Sequence, residues 1–259
     1  MVIKNKKELK KYKEVCDLSI EILGEIKNFV RAGLTTLEID TYAEKLCKQN
    51  NVTPAFRGVR VGKNPEYKFA TCISINDTVV HGVPGVEKIK EGDIVKVDFG
   101  IIKNGYYTDH CFTVGIEPLS LRDKNFIIQS RDAIAQGVNK AVVGNTIGDI
   151  GHAIEAHAKR HNLSIVKEFV GHSIGKSLHD LPDIPGYGTK GEGESLKKGL
   201  VLCIEAQVVD GVAEIYTCPD YWTIKTKSRD KACMFEYIVM VDNKKPKILT
   251  NTLDWGLFI

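Results

Sequence analysis

The sequence predicts an α+β fold built from two similar halves, and three observations predict it. Helical and strand patterns alternate along the chain, but without the short βαβ spacing of a doubly wound sheet. A helix-opening segment recurs: Gly33-Leu34-Thr35-Thr36-Leu37-Glu38-Ile39 resembles Gly144-Asn145-Thr146-Ile147-Gly148-Asp149-Ile150, each with an acid three residues after a threonine. An apolar strand closed by an acid also recurs, Ile94-Val95-Lys96-Val97 before Asp98 and Leu200 to Ile204 before Glu205, each led by a glycine (Gly92, Gly199). The expected architecture has two pseudo-symmetric halves sharing a central curved antiparallel sheet, with helices covering one face. Residues 1–259 form a single domain in this reading.

The elements follow in order. Leu9, Tyr12, Cys16, Leu23, Ile26 and Val30 recur at helical spacing over 6–31, with Lys6, Lys7, Lys10, Lys13 and Glu14 on the opposite face. Solvation accounts for that basic face most simply. The sharper reading is attraction to an anionic surface such as a ribosome. Thr35 and Glu38 have capping-box spacing for a second helix ending near Gln49. Residues 53–68, with Pro54, Gly58, Gly62 and Pro65, read as a loop. Short strands are expected at 69–75 and 78–81 around an Asn76-Asp77 turn. Longer ones are expected at 94–102 and 106–115, joined as a hairpin by Lys103-Asn104-Gly105. Ser120 caps a helix over 121–142, and Thr146 with Asp149 caps another over 147–161. Strands are expected near 164–171, a Gly/Pro-rich loop over 182–199, and strands again at 200–209, 212–217, 221–226 and 233–241.

Composition excludes several classes. A net charge of +3 gives no electrostatic footprint for a nucleic-acid site. No apolar run is long enough for a membrane span. The Lys-rich start lacks an apolar signal core, and seven scattered cysteines without a C-x-x-C pair suit a reduced, cytoplasmic protein. The Asn-x-Ser/Thr triplets at Asn51, Asn76 and Asn162 are then chance matches.

The candidate chemistry lies in carboxylates placed inside apolar strands. Asp98, Glu205 and Glu236 each interrupt such a strand, Met234-Phe235-Glu236-Tyr237-Ile238 most clearly. Asp109 lies on the far arm of the expected hairpin, so it can face Asp98. His172 sits in the glycine-bracketed turn Gly171-His172-Ser173-Ile174-Gly175. Each alone has an ordinary structural explanation: a lone His is commonly a satisfied core or surface residue, and a strand-end acid commonly forms a turn. Together they do not, because four acids converging in a core repel one another and are costly to desolvate. Two divalent cations would balance the four charges. One His among carboxylates suits metals that accept mixed N/O sets, such as Mn, Fe, Co or Zn.

With these residues in view, the chain resembles the type I methionine aminopeptidases of the pita-bread fold. The carrying residues are His81 in Val80-His81-Gly82-Val83-Pro84, Asp98, Asp109, His172 in Gly-His-x-Ile-Gly, His179, Glu205, Trp222 in Trp-Thr-x-Lys-Thr, and Glu236. The resemblance extends from the first helix to Ile248. It implies a dinuclear-metal aminopeptidase that removes initiator methionine from nascent polypeptide N-termini and prefers a small second residue. It further implies that Asp98 chelates one ion, that Asp109 and Glu236 bridge both, and that His172 and Glu205 complete the other shell. A water bridging the two ions would be the nucleophile, with Glu205 as proton carrier. His81 and His179 would flank the scissile bond without ligating, and His179 would hydrogen-bond the developing oxyanion. Cys72, Tyr67 and Trp222 match the methionine pocket, although ordinary core packing would account for the same three residues. The expected protein is a cytoplasmic monomer, with docking on a ribosome left to the basic first helix.

The chain departs from the family pattern at four places. His110 follows Asp109 where a small hydroxyl residue is usual, and is expected to compete for metal or tune it. Ala206-Gln207 follow Glu205 in place of Pro-Met, and Tyr237 replaces a His after Glu236. Leu178 precedes His179 where an aromatic is usual, which changes the pocket shape. None of the four is expected to touch a ligand. Two rival readings are an Xaa-Pro aminopeptidase or prolidase, which usually carries a further N-terminal domain, and a non-catalytic pita-bread binding module, which typically loses ligands. Two literal matches mislead: Gly186-x-Gly188-x-x-Gly191 opens no helix, and Asp98-Phe99-Gly100 lacks the other kinase motifs.

Overall fold

The computed structural model describes all 259 residues. The first helix, α1 (Lys6–Phe29), starts at Asn5, whose side-chain oxygen accepts from Glu8 N, and buries the stripe Tyr12, Val15, Cys16, Ser19, Ile22, Leu23 and Ile26. That i, i+3, i+4 spacing lines one face and leaves the lysines in solvent. Helix α2 (Thr36–Gln49) opens with the predicted Thr35–Glu38 capping box, and α4 (Ile147–Arg160) with the Thr146–Asp149 box. Between them α3 (Leu121–Val138) is capped by Ser120. It ends short of the predicted 142 because Val142 leaves to form a bridge with Asp242. Helices α3 and α4 approach closely at Gly137, where a Cβ would lie 2.5 Å from Ile154.

Every named strand pair is antiparallel. The first half contributes β2 (Thr71–Ile75), β4 (Ile94–Phe99) and β7 (His110–Gly115) in the order β2-β4-β7. The second contributes β9 (Gly171–Ser173), β10 (Asp180–Ile184), β11 (Val201–Val209), β14 (Ala232–Met240) and β15 (Lys247–Ile248) in the order β10-β9-β11-β14-β15, with β8 (Ser164–Ile165) on β11. Small sheets β1-β5-β6 (Thr53–Pro54, Ile101–Lys103, Tyr106–Tyr107) and β12-β13-β3 (Ile215–Thr217, Ile224–Thr226, Thr78–Val80) flank them. The halves meet where β7 lies beside β14. There the Thr113 hydroxyl donates to Met234 O and accepts from Met234 N, and Lys96 Nζ on β4 donates to Ala232 O at 2.7 Å.

Strand alternation separates core from site. Val95, Val97 and Phe99 of β4 pack into the cluster that holds α1 and α2, while Asp98 faces the other way. Leu202, Ile204, Ala206 and Val208 of β11, with Phe235, Tyr237 and Val239 of β14, pack against α3 and α4. Cys203, Glu205, Gln207, Met234 and Glu236 therefore share the opposite, concave face.

The predicted long hairpin is broken on both arms. Strands β5 and β6 turn at Asn104-Gly105, both at positive φ (53° and 70°). But β4 stops at Gly100, where a Cβ would lie 2.0 Å from Thr108 O, and β7 begins only at His110. Asp109 is thus off the ladder, and Asp98 faces Cys111 in register. Likewise β2 and β3 part at Asn76 (φ 47°) rather than pairing; β3 joins β13.

Candidate metal centre and peptide pocket

Every predicted site residue lines one cavity of about 170 Å³. That is the scale of a cavity of ~150 Å³ that admits a benzene-sized guest, so it has room for one side chain. Its walls are Cys72, Tyr67, Trp222, Phe56, Val59, Val61, Val80, Phe169, Val170, Leu178 and Met234; Asp98, Asp109, His172, Glu205, Gln207 and Glu236 lie together there with His81 and His179.

Both halves supply the acids. Glu205 and Glu236 face each other in register on β11 and β14. Oxygens of Asp98, Asp109 and Glu236 lie within 4.8 Å of one another. His172 is set across from Cys203 on β9, and its Nδ1–H donates to Ser173 O at 3.0 Å. That bond leaves the Nε2 lone pair free, 3.8 Å from both Asp109 Oδ2 and Glu205 Oε1. Outer hydrogen bonds of this kind fix the tautomer of a ligating histidine.

Charge makes the arrangement unstable by itself. Burial, with a smaller opposing hydrogen bond, raises the Asp98 carboxyl to about 7. Burial and then the Asp98 charge raise Glu205 to about 8. Burial and the neighbouring acids raise Asp109 and Glu236 well above the usual range. Burial holds His172 and His81 down to about 4 and lowers His179, so all three are neutral near pH 7. No Lys or Arg forms an ion pair with any of the four acids; their one ion-pair partner is His172. Asp98 Oδ1, Asp109 Oδ1 and Glu236 Oε1 are buried without a hydrogen-bond donor. Buried acceptors in that state call for a cation, and four carboxylates with one neutral imidazole nitrogen are the donor set of a divalent-metal site.

The two further histidines line the same cavity beside the acids. His81 has φ 56°, uncommon for a non-glycine residue, and Gly82 follows where a Cβ would lie 2.2 Å from Ile73 O. This tight corner holds the His81 ring edge-on to Phe169 at 5.3 Å and to Trp222 at 6.3 Å. His179 packs edge-on to His172 at 4.5 Å, and a ring nitrogen lies within 4.8 Å of ligand atoms of both Asp109 and His172. Trp222 stacks edge-on to Tyr67 at 5.1 Å and donates from Nε1 to Pro65 O; Tyr67 OH donates to Thr71 O. Cys72 is opposite Asp98 on β2, and burial pushes its thiol well up, so it is a neutral wall group.

Two expectations about the departures are corrected. Gln207 does touch one of the expected ligands: its amide donates to Glu205 Oε2 at 2.7 Å. Period-two alternation puts residue 207 on the same face as 205, which the sequence already contained. His110 turns away from the acids, because β7 alternation sends it to α1, where its Nε2 meets Ser19 Oγ at 2.7 Å. It neither competes for metal nor reaches it. Tyr237 lies in the core against α3 and α4, and Leu178 is on the cavity wall. Phe56, Val59, Val61 and Phe169 escaped sequence reasoning, since loop apolar residues carry no period.

The metallopeptidase family M24 model matches residues 10–243. The chain belongs to metallopeptidase family M24. It is 34% identical over 252 residues to a methionine aminopeptidase of Clostridium perfringens, covering 96% of this chain and 98% of that one. It is 34% identical to methionine aminopeptidase 1 of Bacillus subtilis over 226 residues, 87% of this chain and 89% of the relative. The structure superposes on the crystal structure of methionine aminopeptidase from Rickettsia prowazekii with TM-score 0.92 at 30% identity, covering 97% and 100% of the two chains. A prolidase from Pyrococcus furiosus shares the fold, with TM-score 0.75 at 21% identity, but only 66% of that chain is covered. The pita-bread architecture is thus that of the M24 family, and membership implies divalent-metal binding. No helix is long and apolar enough to cross a membrane.

Proposed function

We propose that this single catalytic domain, residues 1–259, is a metallo-aminopeptidase that removes the N-terminal methionine from nascent polypeptides. The observation that carries the reading is the meeting of four buried acids and a neutral His172 Nε2 beside an aromatic-walled cavity. Its donor-less oxygens and missing cationic partners fit two divalent ions, Co, Mn, Fe or Zn. Asp98 would hold one, Asp109 and Glu236 both, and His172 with Glu205 the other. When bound, such ions supply Lewis acidity and a water acidic enough to attack near neutral pH.

The chain's own groups do the rest. Cys72, Tyr67 and Trp222 seat the methionine side chain, an unbranched thioether suited to an aromatic wall. His81 flanks the scissile bond and narrows the room for the second residue. His179, neutral, donates a hydrogen bond to the oxygen that becomes negative in the transition state. Glu205 takes the proton of the attacking water and delivers it to the leaving amine. The enzyme acts as a cytoplasmic monomer, and the lysines of α1 are the surface with which it would meet a ribosome. A panel of peptides varying the first and second residues, assayed with each metal, tests the reading. Met-Ala, Met-Gly and Met-Ser peptides are expected to be cleaved best. Preference for Ala-Pro or Leu-Pro over Met-Ala would defeat it.

A further inference from the structure

Gln207 is fully buried, lies on the site face of β11, and lines the cavity. Its amide nitrogen donates to Glu205 Oε2 at 2.7 Å and reaches Met234 Sδ at 3.8 Å. Met234 is its register partner across β14. Its own carbonyl oxygen is buried without a donor. An amide held with one end orphaned is oriented by the bond its other end makes, and with Glu205 ionised, as it would be on a metal ion, that bond is to an acceptor that only the NH2 end can satisfy. Glu205 Oε1 is the oxygen left free, and it is the one 3.8 Å from His172 Nε2.

We propose that Gln207 is a positioning residue for the metal centre: by holding Glu205 Oε2 it confines Glu205 to presenting Oε1 beside His172. The proposal rests on the functional reading above. Without this bond no hydrogen-bond donor of the chain distinguishes the two Glu205 oxygens, and the ion shared with His172 loses a fixed ligand. Partners that orient metal-bound carboxylates and imidazoles typically change metal affinity or activity about 10- to 100-fold.

The test is calorimetric titration of chelator-stripped protein with Mn and with Co, for the wild-type chain, Gln207→Met and Gln207→Leu. Gln207→Met keeps length and burial but removes the donor. Gln207→Leu also removes the donor without adding an ionisable group, which serves if the methionine variant fails to fold. Both variants are expected to bind the ion held by His172 and Glu205 about 10- to 100-fold more weakly, with the other ion little affected. On peptides at saturating metal, kcat is expected to fall while KM for the Met-Ala substrate stays near wild type. Wild-type metal affinity in a folded variant overturns the proposal and leaves the functional reading standing. A wild-type protein that takes up no metal overturns that reading, and this proposal with it.

Discussion

Glu205 and Glu236 stand directly opposite each other on adjacent strands, both on the concave face and both buried. Like charges in register destabilise a sheet, yet here the pair sits at the centre of the longest pairing in the molecule, nine residues of β11 against nine of β14. The site is therefore a local instability held by the rest of the fold, and its behaviour without metal should show it.

The pH dependence of the stripped protein follows. Asp98 and Glu205 titrate at about 7 and about 8 in the folded chain against about 4 when unfolded. Between those values these two acids bind more protons folded than unfolded, while the buried His81 and His172 do the opposite until about pH 6.5, so above that point stability falls as pH rises. The melting temperature of chelated protein is expected to drop from about pH 7 to about pH 8.5, and to flatten once Mn or Co is added. A stripped protein that grows more stable over that range contradicts the assignment.

Asp109→Ala removes an acid that faces both His172 and the Asp98–Glu236 side. At most one tightly bound ion per chain is expected, read by elemental analysis after gel filtration, with activity abolished. Two retained ions would show that Asp109 does not bridge.

His179→Ala is expected to cost kcat about a hundred- to a thousandfold, the loss of one oxyanion donor, while metal content stays intact. His81→Ala should behave similarly. Because a His179 nitrogen lies within 4.8 Å of ligand atoms of Asp109 and His172, the metal measurement decides its role: loss of an ion from His179→Ala makes it a ligand.

Side-chain selection should be moderate. Leu178 stands on the cavity wall where the resemblance implies an aromatic, and one missing contact in an apolar pocket is worth about 1–3 kcal/mol. Methionine is expected to be preferred over leucine by roughly ten- to two-hundredfold in kcat/KM, and Met-Lys or Met-Phe peptides to be cut far more slowly than Met-Ala. Equal rates for Met-Ala and Met-Phe would remove His81 and its aromatic neighbours from second-residue selection.

Legibility in the sequence followed the periodic elements. Asp98, Glu205 and Glu236 were visible because an acid within an apolar strand is costly unless something compensates it, and the recurrence of strand-plus-acid marked two halves. The helix starts were visible through their capping residues, Thr35 with Glu38 and Thr146 with Asp149. What stayed hidden depended on contacts distant in sequence. The kink at Gly100 arises from its close approach to Thr108, so the Asn104-Gly105 signal was right about the turn and silent about the broken arms. His110 was misplaced for the same reason, since its face depends on where β7 resumes after Asp109. The loop walls Phe56, Val59 and Val61 became site residues only through the fold.

The seam between β7 and β14 has a consequence for the life of the chain. Asp98 and Asp109 come from one side of it, and His172, Glu205 and Glu236 from the other. An emerging or nicked polypeptide that stops before β14 lacks Glu236 and the register partner of Glu205. Such a fragment lacks one of the four buried acids even with its first half folded. The metal centre proposed above is thus a late product of synthesis, complete only when residue 236 joins the sheet beside Glu205.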